Sequence, residues 1–396
     1  MTDELKAPFT RRELLTACLI AGGTRLAGFN TLTQLEIPKA DERDTLREGK
    51  RLGLVNFVGE PQVPVNVPFG TELDGRLVTD LSDLTVEKAV IPSERFYIRT
   101  RASRLLDHSK PWVIRISGLV AQPVAVTLQR LKRMTRPCGL HLMECAGNDR
   151  SVRFGLLSAA QWAGVPITEL LAAAEIKPQA RRVLISGLDR YVAPSITSVP
   201  GASWIFTWDN LESARAFLAT TINGEPLPED HGAPVRLLVP GWYGCACIKW
   251  VNEIILVKDD VDATSQMQEY ATRTNQAGVP LLAREYKAAL IEHAAMPIRV
   301  EKWRVQGRTQ YRVVGILWGG SRPVNVLEIR FNPNENYTSV DSFQQSGNDS
   351  WSFWTHTWQP QRPGRYLVQL RVKDPVAVAS RMDSGHYVRS VEIDEA

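Results

Sequence analysis

The chain has 396 residues, 44% of them hydrophobic and 23% charged, with a formal net charge of +4. That length supports two domains with substantial cores, and the composition is that of an ordinary globular protein. The charge is too small for a nucleic-acid surface and no Lys/Arg block stands out, so no nucleic acid is expected as a partner. Any field that attracts an anion must be local.

The N-terminus reads as a targeting segment. Thr10-Arg11-Arg12-Glu13-Leu14-Leu15 precedes a modestly apolar run to Gly23 that is too short to span a bilayer. Twin arginines before such a run point to twin-arginine export and a periplasmic location, and residues 1–48 are read as this segment plus a linker. The alternative is a short amphipathic helix in the cytoplasm. Residues 39–50 are charged, a linker or a surface helix. Residues 52–68 are rich in Pro, Val and Asn and predict an extended, wrapping segment.

Residues 49–290 read as a mixed domain. Short strands are expected at 96–99 and 112–118, a helical turn at 128–133 and a helix at 168–175 capped by Thr168. Apolar runs at 182–187 and 235–240 fit buried strands. Strands and helices mixed without strict alternation argue for an α+β fold. Residues 291–396 change texture: Leu327, Ile329 and Phe331 alternate with polar residues, as do Tyr366, Val368, Leu370 and Val372 in the last part of the chain. Gly319-Gly320 and Arg362-Pro363-Gly364 punctuate these runs, which read as an immunoglobulin-like β-sandwich.

The chemistry centres on Glu144-Cys145-Ala146-Gly147-Asn148-Asp149-Arg150. A cysteine followed by small residues puts a thiol at a tight turn with open space above the sulfur. One soft thiolate ligand leaves most of a metal's coordination sphere free for a cofactor and a substrate. Arg150, five residues on, can hold an anion beside that metal. His231, Arg236 and Lys249 flank an apolar run and can meet at one strand end to grip a phosphate. Cys245 and Cys247 bracket one residue, a spacing that suits a metal ligand or an oxidisable pair, although small packed side chains use it more often. The five cysteines form no zinc framework, no haem attachment run occurs, and no Gly-x-Gly-x-x-Gly loop is present. Neither haem nor flavin is therefore expected.

The Cys145 run resembles the Cys-Ala-Gly-Asn-Arg-Arg signature of the sulfite oxidase family. Asn223-Gly224-Glu225-Pro226-Leu227-Pro228 leading into Asp230-His231-Gly232 is similar to another family element, and residues 96–101 sit where members carry Phe-Phe-x-Arg-Asn-His. The resemblance implies a molybdopterin-binding domain followed by a dimerising sandwich, with one molybdenum held by Cys145 and molybdopterin as the cofactor. It places His231, Arg236 and Lys249 on the pterin, Thr100 and Arg101 beside it, Arg99 and Arg150 in the substrate pocket, and Tyr270 as the active-site phenol. It also implies oxygen-atom transfer on sulfite or a related small sulfur oxyanion, with electrons passed to a separate cytochrome c-type carrier. The departures are Asp149 for the first arginine of the signature, Arg101 for a histidine, Thr100 for an asparagine and Ala246 for an arginine. They leave the cofactor cage in place and redraw the substrate pocket. Two other readings remain open from sequence: a reductase of sulfoxides or other oxo compounds, and a cofactor-free binding protein.

Overall fold

A computed structural model describes Leu46 and residues 49–189, 191, 193–195, 198–344 and 350–396. The twin-arginine stretch lies outside the described residues. From Glu48 onward the chain forms a single contact unit.

Among the described residues, four five-stranded sheets and a few short helices make up the fold. The first sheet holds Arg136–Glu144, Leu157–Pro166 and Phe217–Ile222 side by side, with Glu225–Pro226 and Arg236–Leu238 both paired to the last of these. The second runs Val124–Thr127, Val113–Gly118, Val251–Val257, Arg182–Gly187 and Ser203–Thr207. Its pairing of Val113–Gly118 with Val251–Val257 is parallel, across a long excursion of chain, so the α+β expectation holds with mixed sheets.

The last hundred residues form two antiparallel sheets. Ala294–Val305 and Arg308–Trp318 are joined by Gln306-Gly307, both at positive φ, which suits the two-residue turns that match strand twist. The extended segment near the N-terminus enters these sheets rather than those that follow it. Lys50–Val55 pairs with Ala294–Val305, and Phe57–Val58 pairs with Arg389–Ile393. Glu60 then anchors the crossing, accepting from Arg389 Nε at 2.6 Å and Nη2 at 2.7 Å. The Arg389 guanidinium lies 3.6 Å over the Phe57 ring. The first strands of the described residues thus cross the boundary expected at residue 290.

Local expectations fare unevenly. Arg182–Gly187 is a strand and Leu128–Met134 a helix, as read. Residues 96–99 make only an isolated bridge from Ile98 to Leu77, following a 3-10 turn over Ser93–Arg95. The helix expected from Thr168 begins at Ile167 and ends at Ala172, with Pro166 at its N-cap and no side-chain cap bond. Proline before the first turn presets the backbone, so Thr168 falls inside the helix.

Candidate active site

Cys145 follows the last residue of Arg136–Glu144, in the connection to Leu157–Pro166. Its amide donates to the Leu156 carbonyl at 2.9 Å, and its own carbonyl accepts from the Asn148 amide at 2.9 Å, closing a tight turn. The Gly147 amide points at Sγ, 3.3 Å away. Burial pushes the thiol pKa up, while Arg99, the Gly147 amide, Arg76 and Arg273 pull it down.

One pocket is lined by Cys145, Arg99, Thr100, His231, Arg236, Lys249 and Tyr270, together with Tyr97, Cys245 and Cys247. His231 ends the 3-10 turn Glu229–His231, Arg236 opens the strand Arg236–Leu238, and Lys249 stands just before Val251–Val257. Each cation therefore sits at an element end. Gly244 lets the last of these loops close: a Cβ there would stand 2.3 Å from the Tyr97 hydroxyl.

Electrostatics mark the pocket as built for an anion. Burial and then Arg236 bring Lys249 down to about 7. Burial brings His231 to about 4, with Lys249 and Arg236 adding to the shift against a carbonyl contact from Phe96. Arg76 is lowered to about 10, by burial and by Arg99. Buried cations that suppress one another's charge gain most from a negative ligand. Two buried atoms of this set, His231 Nδ1 and Arg236 Nε, lack a hydrogen-bond partner among the described residues, a shortfall that a polar ligand would meet. Among the described residues, no three His, Cys, Asp or Glu side chains cluster to hold a bare metal ion. A metal on Cys145 would need its other ligands from outside the described protein side chains. The donor set fits molybdopterin: a thiolate for the metal, and cations and a neutral imidazole for a phosphate and a heterocycle.

Residues 102–265 match the model of the oxidoreductase molybdopterin binding domain. Mitochondrial sulfite oxidase of Homo sapiens is 25% identical over 84% of this chain and 62% of its own. The sulfane dehydrogenase SoxCD of Paracoccus pantotrophus shares the fold at a TM-score of 0.62 and 17% identity, covering 94% of this chain and 100% of that one. The chain is a molybdopterin oxidoreductase similar to the sulfite oxidases. A nitrate reductase (NADPH) of Fusarium oxysporum is 31% identical over 49% of this chain but 22% of its own. The matches thus span less than two thirds of these curated relatives. The matched molybdopterin-binding domain implies a molybdenum–molybdopterin cofactor.

Within this sulfite oxidase-type site, two expected residues stand elsewhere. Arg150 is exposed, and its Nη2 donates to the Val388 carbonyl at 2.6 Å. The reason is the turn itself. Asp149 caps the 3-10 turn Arg150–Val152 by accepting from the Ser151 amide at 2.8 Å, which swings Arg150 toward the C-terminal segment. Asp149 consequently does not compete for the pocket. Arg101 stands behind the pocket wall, its Nε 2.7 Å from Asp230 Oδ2, and Thr100 contributes a main-chain carbonyl that accepts from Lys249. Residues not singled out from sequence take part instead. Arg273 lies 5.6 Å from the Tyr270 ring and beside Gly147, and Arg76 senses both Arg99 and Cys145. Arg273 follows Tyr270 by three residues, the one local signal that was available for it.

Proposed function

We propose that this chain is an oxygen-atom-transfer enzyme that oxidises sulfite or a related small sulfur oxyanion. Water supplies the oxygen, and two protons and two electrons leave, the electrons to a separate cytochrome. The observation that carries this reading is Cys145 at a pocket shared with Tyr270 and Arg99, with Arg76 and Arg273 close by. Molybdopterin, when bound, supplies a metal that changes oxidation state by two and a dithiolene that tunes it.

The chain's residues do the rest. Cys145 would hold the metal, and His231, Arg236 and Lys249 would hold the pterin and its phosphate. Arg99 and Arg273 bind and orient the oxyanion through charge-assisted hydrogen bonds, and Arg76, whose Nη1 donates to the Leu73 and Gly75 carbonyls, adds positive charge nearby. Burial holds the Tyr270 phenol well above its usual pKa, so it keeps its proton and donates a hydrogen bond to a substrate oxygen. In the same reading residues 1–48 direct export to the periplasm. Residues 291–396 form an immunoglobulin-like sandwich, as the alternating strands suggest, and make a homodimer, as the resemblance to the sulfite oxidases implies.

A steady-state screen of sulfite, thiosulfate and sulfoxides with artificial electron carriers tests the proposal. Turnover is expected with a sulfur oxyanion as electron donor. Turnover only with sulfoxides as acceptors would replace it by the reductase reading, and purified protein that takes up no molybdenum would end both.

A further inference from the structure

Glu144, the residue before the thiol, is wholly buried and faces away from the pocket chemistry. Its Oε1 accepts from Tyr387 Oη at 2.9 Å and from Asn148 Nδ2 at 3.2 Å, and its Oε2 accepts from Trp318 Nε1 at 2.8 Å. Trp318 ends the strand Arg308–Trp318, and Tyr387 precedes the strand Arg389–Ile393, so two of the three donors come from the C-terminal sheets. The same segment touches the thiol turn twice more. Arg381 Nη2 donates to the Ala146 carbonyl at 2.7 Å, and His386 Nε2 lies 2.9 Å from the Asn148 carbonyl. Burying a carboxyl group is costly, and a well-packed apolar residue often serves stability as well. A fully satisfied polar hub instead fixes direction: every bond it makes has a required angle.

We infer that Glu144 is a positioning residue through which the C-terminal sheets set the orientation of Cys145, and with it the hold on the metal. The inference rests on Cys145 being the molybdenum ligand, and the test separates the two. The full chain would be loaded with molybdenum–molybdopterin in three forms: unsubstituted, Tyr387→Phe and Glu144→Gln. Three quantities would be read: molybdenum retained on dialysis, the visible sulfur-to-molybdenum absorption band, and the melting temperature. Phenylalanine keeps the ring packed against Trp318, at a centroid distance of 5.2 Å, and removes only the donor. Tyr387→Phe should lose molybdenum about three- to tenfold faster, the factor that one hydrogen bond commands, with a displaced absorption band. Glu144→Gln, which turns an amide N–H toward a former donor, should do so more strongly. If Glu144→Gln does not fold, Tyr387→Phe alone decides. Unchanged retention and an unchanged band, even with a lower melting temperature, would make Glu144 a purely structural residue and overturn the inference. Unsubstituted protein that binds no molybdenum would overturn the metal assignment along with it.

Discussion

The Arg273 guanidinium lies against the face of Gly147: a methyl group at that glycine would stand 3.2 Å from Nη1 and 3.8 Å from Cys145 Sγ. The small residues after the thiol therefore make room for an arginine beside the sulfur. Gly147→Ala should fold, because the crowded atom ends a flexible side chain. It should still raise KM for an anionic substrate by displacing Arg273. A KM equal to that of the unsubstituted enzyme would show that Arg273 does not reach the substrate.

Arg273 and Arg150 make opposite predictions. Arg273→Gln should raise KM for sulfite by about ten- to a hundredfold, in line with the ~1.5–3 kcal/mol of a charge-assisted hydrogen bond. A neutral sulfoxide should lose far less. Arg150→Gln, whose side chain is bound to the Val388 carbonyl, should stay within about twofold for both substrates. Kinetics on the two variants check this, and a large KM effect at Arg150 would return it to the pocket.

Cys145→Ser should leave the fold intact and abolish turnover, since an alcohol is a poor replacement for a thiolate at a soft metal site. Circular dichroism would report the fold and metal analysis the occupancy. Full activity in the serine variant would remove Cys145 from the metal.

Loading of the pocket should depend on pH through Lys249. With no anion bound its pKa is about 7, whereas a phosphate requires the ammonium form. Below that pH the lysine is already charged and contributes no pH dependence. Above it, each pH unit removes the proton that binding must restore, so affinity falls by up to about tenfold per unit. Calorimetric titration of cofactor-free protein with inorganic pyrophosphate between pH 6 and 9 should show the decline. Lys249→Met should bind more weakly and lose this slope.

The Glu60–Arg389 pair should matter for stability and not for chemistry. Both side chains are almost fully buried and meet through two hydrogen bonds. Glu60→Gln leaves a buried guanidinium short of its partner and should cost about 3 kcal/mol in denaturant unfolding. KM for sulfite should not move.

What could be read from sequence was what short stretches decide. The turn at Cys145 and the cluster of His231, Arg236 and Lys249 depend on neighbours within one loop and on strand ends, and all four side chains line one pocket. The aim of Arg150 was not legible, because it depends on an Asp149 cap and on a carbonyl 238 residues away. Glu144 carries no local signal of its own in the sequence. Its role follows from Trp318 and Tyr387, which only the folded chain brings to it. Arg76 lies between the extended segment read at residues 52–68 and the first strand expected at 96–99, in a stretch that carries no motif.

The strands at Lys50–Val55 and Phe57–Val58 have a consequence for how the molecule is made. They leave the ribosome before their partners and then wait, because Ala294–Val305 and Arg389–Ile393 are synthesised some 240 to 330 residues later. Until then those two segments are unpaired strand edges, and neither C-terminal sheet has all its members. A piece cut at residue 291 would carry the same open edges permanently, so the last hundred residues are not a module that can be moved alone. Completion of the fold waits for residues 389–393, when the two extremities of the described chain close on each other as a clasp.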